Sequence, residues 1–247
     1  MPKKENIQNM FDSIAPEYDY LNHLLSMDID KRWRKKAVKE IVDTEKPQKI
    51  LDVACGTCDF TIAIARKAMT DNAYEGELHT EITGIDISEG MMRIGKKKLT
   101  KAGFCKDGDF VSVELIQGDC ECLPFEQNSF DRISAGFGVR NFEHLDQGLK
   151  EMYRTLKPGG KVVILELSVP GNRIIRNLYK MYFTKLLPLI GGRISGKRSA
   201  YNYLPASVLK FPGPNEFQGM LRNAGFKNIR HKALSLGICR LYTGIKQ

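Results

Sequence analysis

Two cysteines of this chain stand where side chains can do chemistry. Cys55 and Cys58 form a C-x-x-C pair within "KILDVACGTCDFTIAIA", residues 49–65. Such a pair can act as a redox centre between a strand and a helix, or it can supply half of a metal site. The apolar letters before the pair and the helical letters after it also predict a strand, a turn containing Gly56 and a helix. In open α/β sheets this arrangement binds a cofactor at the end of the strand.

Two carboxylates further along the chain distinguish these interpretations. Asp86 ends the apolar run "TEITGID", and Asp119 follows "VSVELIQG". Asp86 can accept hydrogen bonds from both hydroxyls of a ribose, and Asp119 can accept one from an adenine amine. A redox pair needs neither acid, while zinc would require Cys120 and Cys122 as its second pair. The sequence therefore favours a nucleoside-cofactor turn, with the redox and metal interpretations kept as alternatives.

The elements that must position these residues follow a regular alternation. Short β-rich runs separated by helical periods predict a mostly parallel sheet covered on both faces, because the strands are apolar throughout. The predicted strands are "KILDVA", "TEITGID", "VSVELIQGD", "FDRISAGF" and "KVVILEL", with helices near 59–69, 88–101 and 144–156. A helix near 215–224 and a final hairpin complete the pattern. The predicted fold is a Rossmann-like α/β fold with a seven-stranded sheet and a C-terminal antiparallel hairpin.

The predicted organisation is one domain over residues 1–247. It begins with a helical cap (1–45) and a cofactor-binding core (49–168). A basic helical insertion (169–215) and a C-terminal helix and hairpin (216–247) follow. Composition agrees with a single globular domain, since 42% of the 247 residues are apolar and 27% are charged.

Charge and cysteine content indicate the kind of partner and the cellular compartment of the protein. The net charge is +9, and eight basic residues with no acidic one lie between Glu166 and Glu216. They are Arg173, Arg176, Lys180, Lys185, Arg193, Lys197, Arg198 and Lys210. Such a segment is typical of a surface for anionic partners, although a solvated basic face is the alternative. With no secretory signal and no apolar run long enough to span a bilayer, we expect a cytoplasmic protein with reduced thiols.

Several motifs resemble a known family. The acidic residues of "LDVACGTCD", "GIDIS" and "GDCECLPF" resemble the S-adenosylmethionine site of class I methyltransferases. Four longer motifs resemble the quinone-biosynthesis C-methyltransferases, which methylate the ring of demethylmenaquinol or of a ubiquinone precursor. These motifs are "YDYLNHLLSMDIDKRW", "GFGVRNF", "RTLKPGGKVVILELS" and "YNYLPASV". The start "MFDSIAPEYD" is closer to the menaquinone-only members, so menaquinone biosynthesis is the first expectation.

The resemblance implies a site. Its cofactor-binding residues would be Asp52, Cys55, Gly56, Thr57, Asp86, Ile87, Met91, Asp119, Cys120 and Gly136, with no metal. Its catalytic residues would be Arg140, Asn141 and Tyr201. Arg140 would stabilise the phenolate that makes a ring carbon nucleophilic, because its guanidinium stays protonated. Tyr201 either hydrogen-bonds the quinol or packs. Tyr18 and Asp19 would close the N-terminal helices over the site, and the role of Glu166 is left open.

The chain also departs from the family pattern. Cys55 and Cys58 stand where glycines are expected, and Asp30 replaces a usual histidine. The cysteines are small, so we expect them to affect cofactor affinity more than the fold. Asp30 removes an imidazole that would titrate near neutral pH.

The implied substrate carries a polyprenyl tail, which partitions into the lipid bilayer. A helix over 173–187 would place Ile175, Leu178, Tyr182 and Leu186 beside basic residues. We therefore expect peripheral association with the cytoplasmic membrane through residues 173–198. The alternative is that this apolar face lines a groove for the tail. No nucleic-acid partner is expected, and a homodimer is left open.

Two other function classes are weighed against this one. An NAD-binding oxidoreductase would share Asp86 but should show G-x-G-x-x-G, which "ACGTCD" lacks. An RNA-binding module would interleave aromatic and basic residues, which "YKMYFTK" offers only faintly.

Overall fold

The computed structural model describes residues 3–26, 28–43, 46–72, 79–104, 106–107, 110–181 and 198–247. The helices are α1 (Lys4–Ser26), α2 (Ile29–Ile41), α3 (Asp59–Asn72), α4 (Glu89–Lys101), α5 (Leu145–Thr155), α6 (Arg173–Met181), α7 (Arg198–Lys210) and α8 (Pro214–Asn223). The strands are β1 (Lys49–Val53), β2 (Thr80–Asp86), β3 (Val111–Gln117), β4 (Phe130–Gly136), β5 (Leu156–Leu167), β6 (Lys227–Leu234) and β7 (Cys239–Ile245).

The seven strands form one sheet in the order β3-β2-β1-β4-β5-β7-β6. The first five are parallel, with Leu51 paired to Thr83 on one side and to Ile133 on the other. The β6–β7 hairpin is antiparallel, and β7 is antiparallel to β5. The strand order reverses between β1 and β4. In open α/β sheets this switch point marks the crevice where ligands bind.

Two apolar cores cover the two faces of the sheet. One contains Trp33 and Ile41 of α2 and Ile64 of α3. The other contains Leu149 of α5 and Phe217 of α8. Burial on both faces explains the apolar runs Ile50–Leu51 of β1 and Val162–Leu165 of β5. The predicted Rossmann-like sheet with its closing hairpin is confirmed.

The N-terminal region differs in one detail from the sequence prediction. It forms two helices because the chain turns at Asp28, which has a left-handed φ of 59°. Helix α1 packs through Ile14 and Ala15 against Met91 of α4. This contact brings α1 alongside the cofactor turn.

The basic segment is described only in part. Its helix is observed over Arg173–Met181, while Tyr182, Lys185, Leu186, Arg193 and Lys197 lie outside the described residues. Among the residues that the structure describes, none of the helices combines the length and the apolar character needed to cross a membrane.

Candidate active site

A cavity of about 450 Å³ opens at the carboxyl ends of β1, β2 and β4. Its size is within the range of small-molecule sites. Eleven of the thirteen residues predicted from the sequence line it: Cys55, Gly56, Thr57, Asp86, Ile87, Met91, Asp119, Cys120, Gly136, Arg140 and Asn141. The other two are Asp52 and Tyr201. The sheet topology therefore brings together residues that are far apart in the chain.

The turn after β1 has an unusual backbone. Ala54, Gly56 and Cys58 have left-handed φ values of 54°, 55° and 66°. A Cβ built on Gly56 would meet no atom within 4 Å, so the backbone here faces open space in which a ligand can approach closely. The conformation of Cys58 explains why glycine is common at this position. A non-glycine residue there is held in a strained backbone region.

The two cysteines of this turn are packing residues. A Cβ added to Gly95 of α4 would lie 2.4 Å from the Cys58 sulfur, and one added to Gly84 of β2 would lie 3.1 Å from that of Cys55. Hydrogen bonding with Cys58, together with burial, raises the pKa of the Cys55 thiol well above its usual value. Reactive redox cysteines show the opposite shift. Within the described part of the chain, no three His, Cys, Asp or Glu side chains cluster as a metal site. The raised pKa of Cys55 disfavours the redox alternative.

The two acids predicted to hold a nucleoside have the required surroundings. Asp86 accepts the Gly56 N–H through Oδ2 and the Ser88 N–H through Oδ1, both at 2.8 Å. Each carboxylate oxygen keeps a second lone pair for a ribose hydroxyl. Asp119 accepts the Glu121 N–H at 2.9 Å, and its other oxygen pairs with the ammonium of Lys4. These residues, with the open backbone at Gly56, fit the adenosine part of S-adenosylmethionine.

Asp52 does not line the cavity. It is fully buried below the turn, where it accepts hydrogen bonds from the hydroxyls of Thr61 (2.6 Å) and Ser134 (2.7 Å). Burial raises the pKa of this carboxyl to about 6, although both hydroxyls oppose the shift. Its position indicates that it fixes the turn rather than contacting a ligand.

A polar network ties the N-terminal helices to the turn. Lys98 of α4 donates to Asp19 at 2.6 Å and also pairs with Asp59, while Asp19 accepts from the hydroxyl of Thr57. Arg34 of α2 pairs with Asp30 and with Asp59. The predicted closure by Asp19 is supported by these contacts.

Three cations line the described part of the cavity: Lys4, Arg34 and Arg140. Lys4 is paired with Asp119, and Arg140 is paired with Glu166. Arg34 is the cation next to the turn, so it is suited to contact an anionic group of the cofactor there. Asp30, where the family usually has histidine, also accepts from the Ser26 hydroxyl at 2.6 Å.

Arg140 forms a buried ion pair with Glu166, a residue whose role the sequence left open. Glu166, at the end of β5, accepts from the Arg140 side chain at 2.9 Å, from the Arg140 backbone N–H at 3.2 Å and from the Leu167 N–H at 2.8 Å. The Arg140 side chain also donates to the Phe137 carbonyl. Burial lowers the pKa of the guanidinium, but Glu166, Tyr18 and Tyr203 together more than offset this effect and leave the pKa raised. Within the described residues the Nε–H of Arg140 has no acceptor.

Asn141 is held by a tyrosine that the sequence analysis did not select. The hydroxyl of Tyr203 on α7 lies 3.0 Å from Asn141 Oδ1. The side chain of Tyr201 is outside the described residues. Tyr18 and Tyr179 line the cavity itself, and only Tyr18 was anticipated.

Comparisons with known proteins agree with this geometry. The chain is 46% identical over 244 residues to the ubiquinone/menaquinone biosynthesis C-methyltransferase UbiE of Geotalea daltonii, covering 99% of this chain and 97% of that protein. It is 40% identical to the demethylmenaquinone methyltransferase of Bacteroides fragilis, covering 99% and 94%.

Solved structures support the fold. A methyltransferase from Thermotoga maritima, described as a possible histamine N-methyltransferase, matches with a TM-score of 0.65 at 18% identity, covering 98% of this chain and all of that one. The sequence model of the ubiE/COQ5 methyltransferase family matches residues 1–246. The chain therefore belongs to the ubiE/COQ5 methyltransferase family.

Proposed function

We propose that this protein is a demethylmenaquinone methyltransferase. It transfers the methyl group of S-adenosylmethionine to a ring carbon of demethylmenaquinol, forming menaquinol. The observation that carries the proposal is one cavity lined by two kinds of residues. Asp86 and Asp119 suit a nucleoside, while Arg140 and Asn141 line the same cavity together with aromatic and apolar side chains.

The bound cofactor supplies an electrophilic methyl group on a sulfonium. In balance, a ring C–H becomes C–CH₃, the sulfonium becomes a thioether and one proton is released. The protein must make the ring carbon nucleophilic, which requires ionisation of a quinol hydroxyl with a pKa of about 10. Arg140 favours the phenolate because it is cationic and buried, and its Nε–H has no acceptor among the described residues. The Asn141 amide, held by Tyr203, can donate to a quinol oxygen.

The N-terminal helices exclude water from this reaction. Phe11 and Tyr18 of α1 and Trp33 of α2 line the cavity, and the Asp19–Lys98 contact fixes α1 against the core. A drier site strengthens the interaction between Arg140 and the phenolate.

The polyprenyl tail has a matching apolar lining. The cavity lining includes Ile175 and Tyr179 of α6, Leu204 of α7 and Ile238. This lining supports the groove alternative for the apolar face of α6. The net basic character of residues 167–215 supports a cytoplasmic protein that visits an anionic membrane surface to collect its substrate.

The substrate choice can be tested directly. We expect purified protein with radiolabelled S-adenosylmethionine to methylate demethylmenaquinol faster than a 2-polyprenyl-6-methoxy-benzoquinol. The name of the Geotalea daltonii relative covers both pathways, so the benzoquinol is the second candidate.

Calorimetry with S-adenosylhomocysteine and with NADH provides the cofactor test. Binding of NADH alone, with no methylation of either quinol, would contradict the proposal.

Asp86→Asn tests the cofactor end. Each carboxylate oxygen of Asp86 accepts a backbone N–H at 2.8 Å and would also accept a ribose hydroxyl. Because asparagine keeps only one acceptor oxygen and no charge, we expect the affinity for S-adenosylhomocysteine to fall about 10- to 100-fold. Calorimetric titration measures the change. Asp131→Asn, an acid far from the cavity that pairs with Lys157, is the matched control and should bind normally.

Arg140→Lys tests the phenolate end. We expect kcat to fall by about 100-fold, because the fork that contacts Glu166 and the quinol oxygen is lost while the charge is kept. The loss should shrink as pH rises, since solvent then ionises more of the quinol. A pH-independent loss, or lost S-adenosylhomocysteine binding, would assign Arg140 a structural role.

A further inference from the structure

The turn between β6 and β7 presents an exposed leucine in a strained backbone. Leu236 is 73% exposed and has φ 58° and ψ 20°, and its neighbour Ser235 has φ 45°. Two successive non-glycine residues in the left-handed region are uncommon, and such strain is concentrated at functional sites. An apolar side chain in this position gains no burial within the described chain that would offset the strain.

This turn is fixed at the edge of the cavity. Ser235 and Ile238 both line the cavity, on either side of Leu236. The Ser235 hydroxyl accepts the indole N–H of Trp33 at 2.9 Å, and the Gly237 carbonyl accepts the Ser168 hydroxyl at 2.5 Å. Leu236 is therefore held outward by contacts with two other parts of the fold.

A second set of exposed apolar residues lies on the neighbouring helix. A Cβ added to Gly237 would lie 3.6 Å from Pro170, just before α6. On α6, Ile174 is 72% exposed and Met181 is 55% exposed, while Ile175 and Tyr179 face the cavity. Ile174 and Met181 are two helical turns apart, so they share one face. The apolar lining thus continues outward onto exposed residues.

We propose that Leu236 and Ile174 form the contact through which the protein enters an anionic lipid bilayer. This inference deepens the proposed function, on which it rests, because a lipid-soluble substrate would enter the cavity at this edge. Charge favours a lipid surface as the occupant. Arg173 and Arg176 flank Ile174, and no acidic residue lies between Glu166 and Glu216. Apolar side chains beside basic ones are typical of interfacial membrane binding.

The test is binding to vesicles of phosphatidylethanolamine with phosphatidylglycerol, measured by co-sedimentation. Leu236→Asn is the informative variant, because asparagine tolerates a left-handed φ better than leucine and the fold should be at least as stable. We expect Leu236→Asn and Ile174→Gln each to weaken vesicle binding by about tenfold or more. Met69→Gln, on α3 and away from the cavity, removes a side chain that is 52% exposed and should bind like the wild type.

The outcomes separate this surface from the proposed function. Vesicle binding of Leu236→Asn equal to that of the wild type, with a normal melting temperature, would overturn the inference even if wild-type protein methylates demethylmenaquinol. An equal loss in Met69→Gln would also overturn it. Binding of the wild type to RNA but not to vesicles would do the same. A selective loss in the Leu236 and Ile174 variants would support the surface whichever quinol proves to be the substrate.

Discussion

The side chain of Asn141 is oriented by a hydrogen bond from the Tyr203 hydroxyl. Removing this hydrogen bond tests the proposed contact between Asn141 and the quinol. Tyr203→Phe removes the hydroxyl but keeps the ring. We expect kcat to fall about two- to tenfold, the effect of one hydrogen bond, with unchanged affinity for S-adenosylhomocysteine. Steady-state kinetics and calorimetry measure the two quantities. Tyr201→Phe is the comparison: if that variant loses activity and Tyr203→Phe does not, the assignment of Tyr203 is wrong.

Asp52 makes stability depend on pH in a defined direction. Its folded pKa is about 6 and its ordinary value is 3.8, so between these values the unfolded chain has lost a proton that the folded protein keeps. Stability should therefore decrease as pH rises through this window, by up to about 3 kcal/mol from this group. Asp52→Asn keeps partners for Thr61 and Ser134 but removes the charge. We expect the variant to gain stability relative to wild type between pH 4 and pH 8 in urea titrations. An equal difference at both pH values would contradict this account.

At the scale of elements, hydrophobic pattern predicted most of the fold. Burial of the strands on both faces produced continuous apolar runs, and the boundaries of β2 and α4 follow the predictions closely. The break after α1 was missed because Asp28 adopts a left-handed φ without a glycine to signal it. The hydrogen bond of Tyr203 to Asn141 depends on how α7 is rotated against the core, which the spacing of "YNY" does not specify.

The docking of α1 on α4 depends on a cap supplied from another helix. Asp12 accepts the Ser88 hydroxyl at 2.6 Å and the Gly90 N–H at 2.9 Å, so it satisfies the N-terminus of α4 from outside. We expect Asp12→Ala to lower the free energy of unfolding by about 1–2 kcal/mol, the usual effect of losing a cap. Chemical denaturation measures this loss. Asp12→Asn keeps an acceptor and should recover much of it; an Asn variant as unstable as the Ala variant would argue against the cap.

For the whole molecule, topology explains why the cofactor site could be predicted and the ion pairs could not. Parallel strands end at one edge of the sheet, so Asp86 and Asp119 were expected to meet there. The pairing of Lys4 with Asp119 joins residues 115 positions apart, and that of Arg140 with Glu166 joins residues 26 apart. Such pairs depend on packing geometry, for which one sequence carries no periodic signal.

The same long-range contacts predict that cofactor binding orders the N-terminal cap. Helix α1 lines the cavity through Lys4, Phe11 and Tyr18 and is tied to the turn by Asp19. A ligand that binds only the folded protein, at 100 times its Kd, should raise the free energy of unfolding by about 2.7 kcal/mol. We expect S-adenosylhomocysteine to slow hydrogen exchange in α1 and α4, with little change in β6. Asp86→Asn at the same ligand concentration should show a much smaller effect. Slower exchange confined to the turn after β1 would mean that α1 packs beside the cofactor without closing over it.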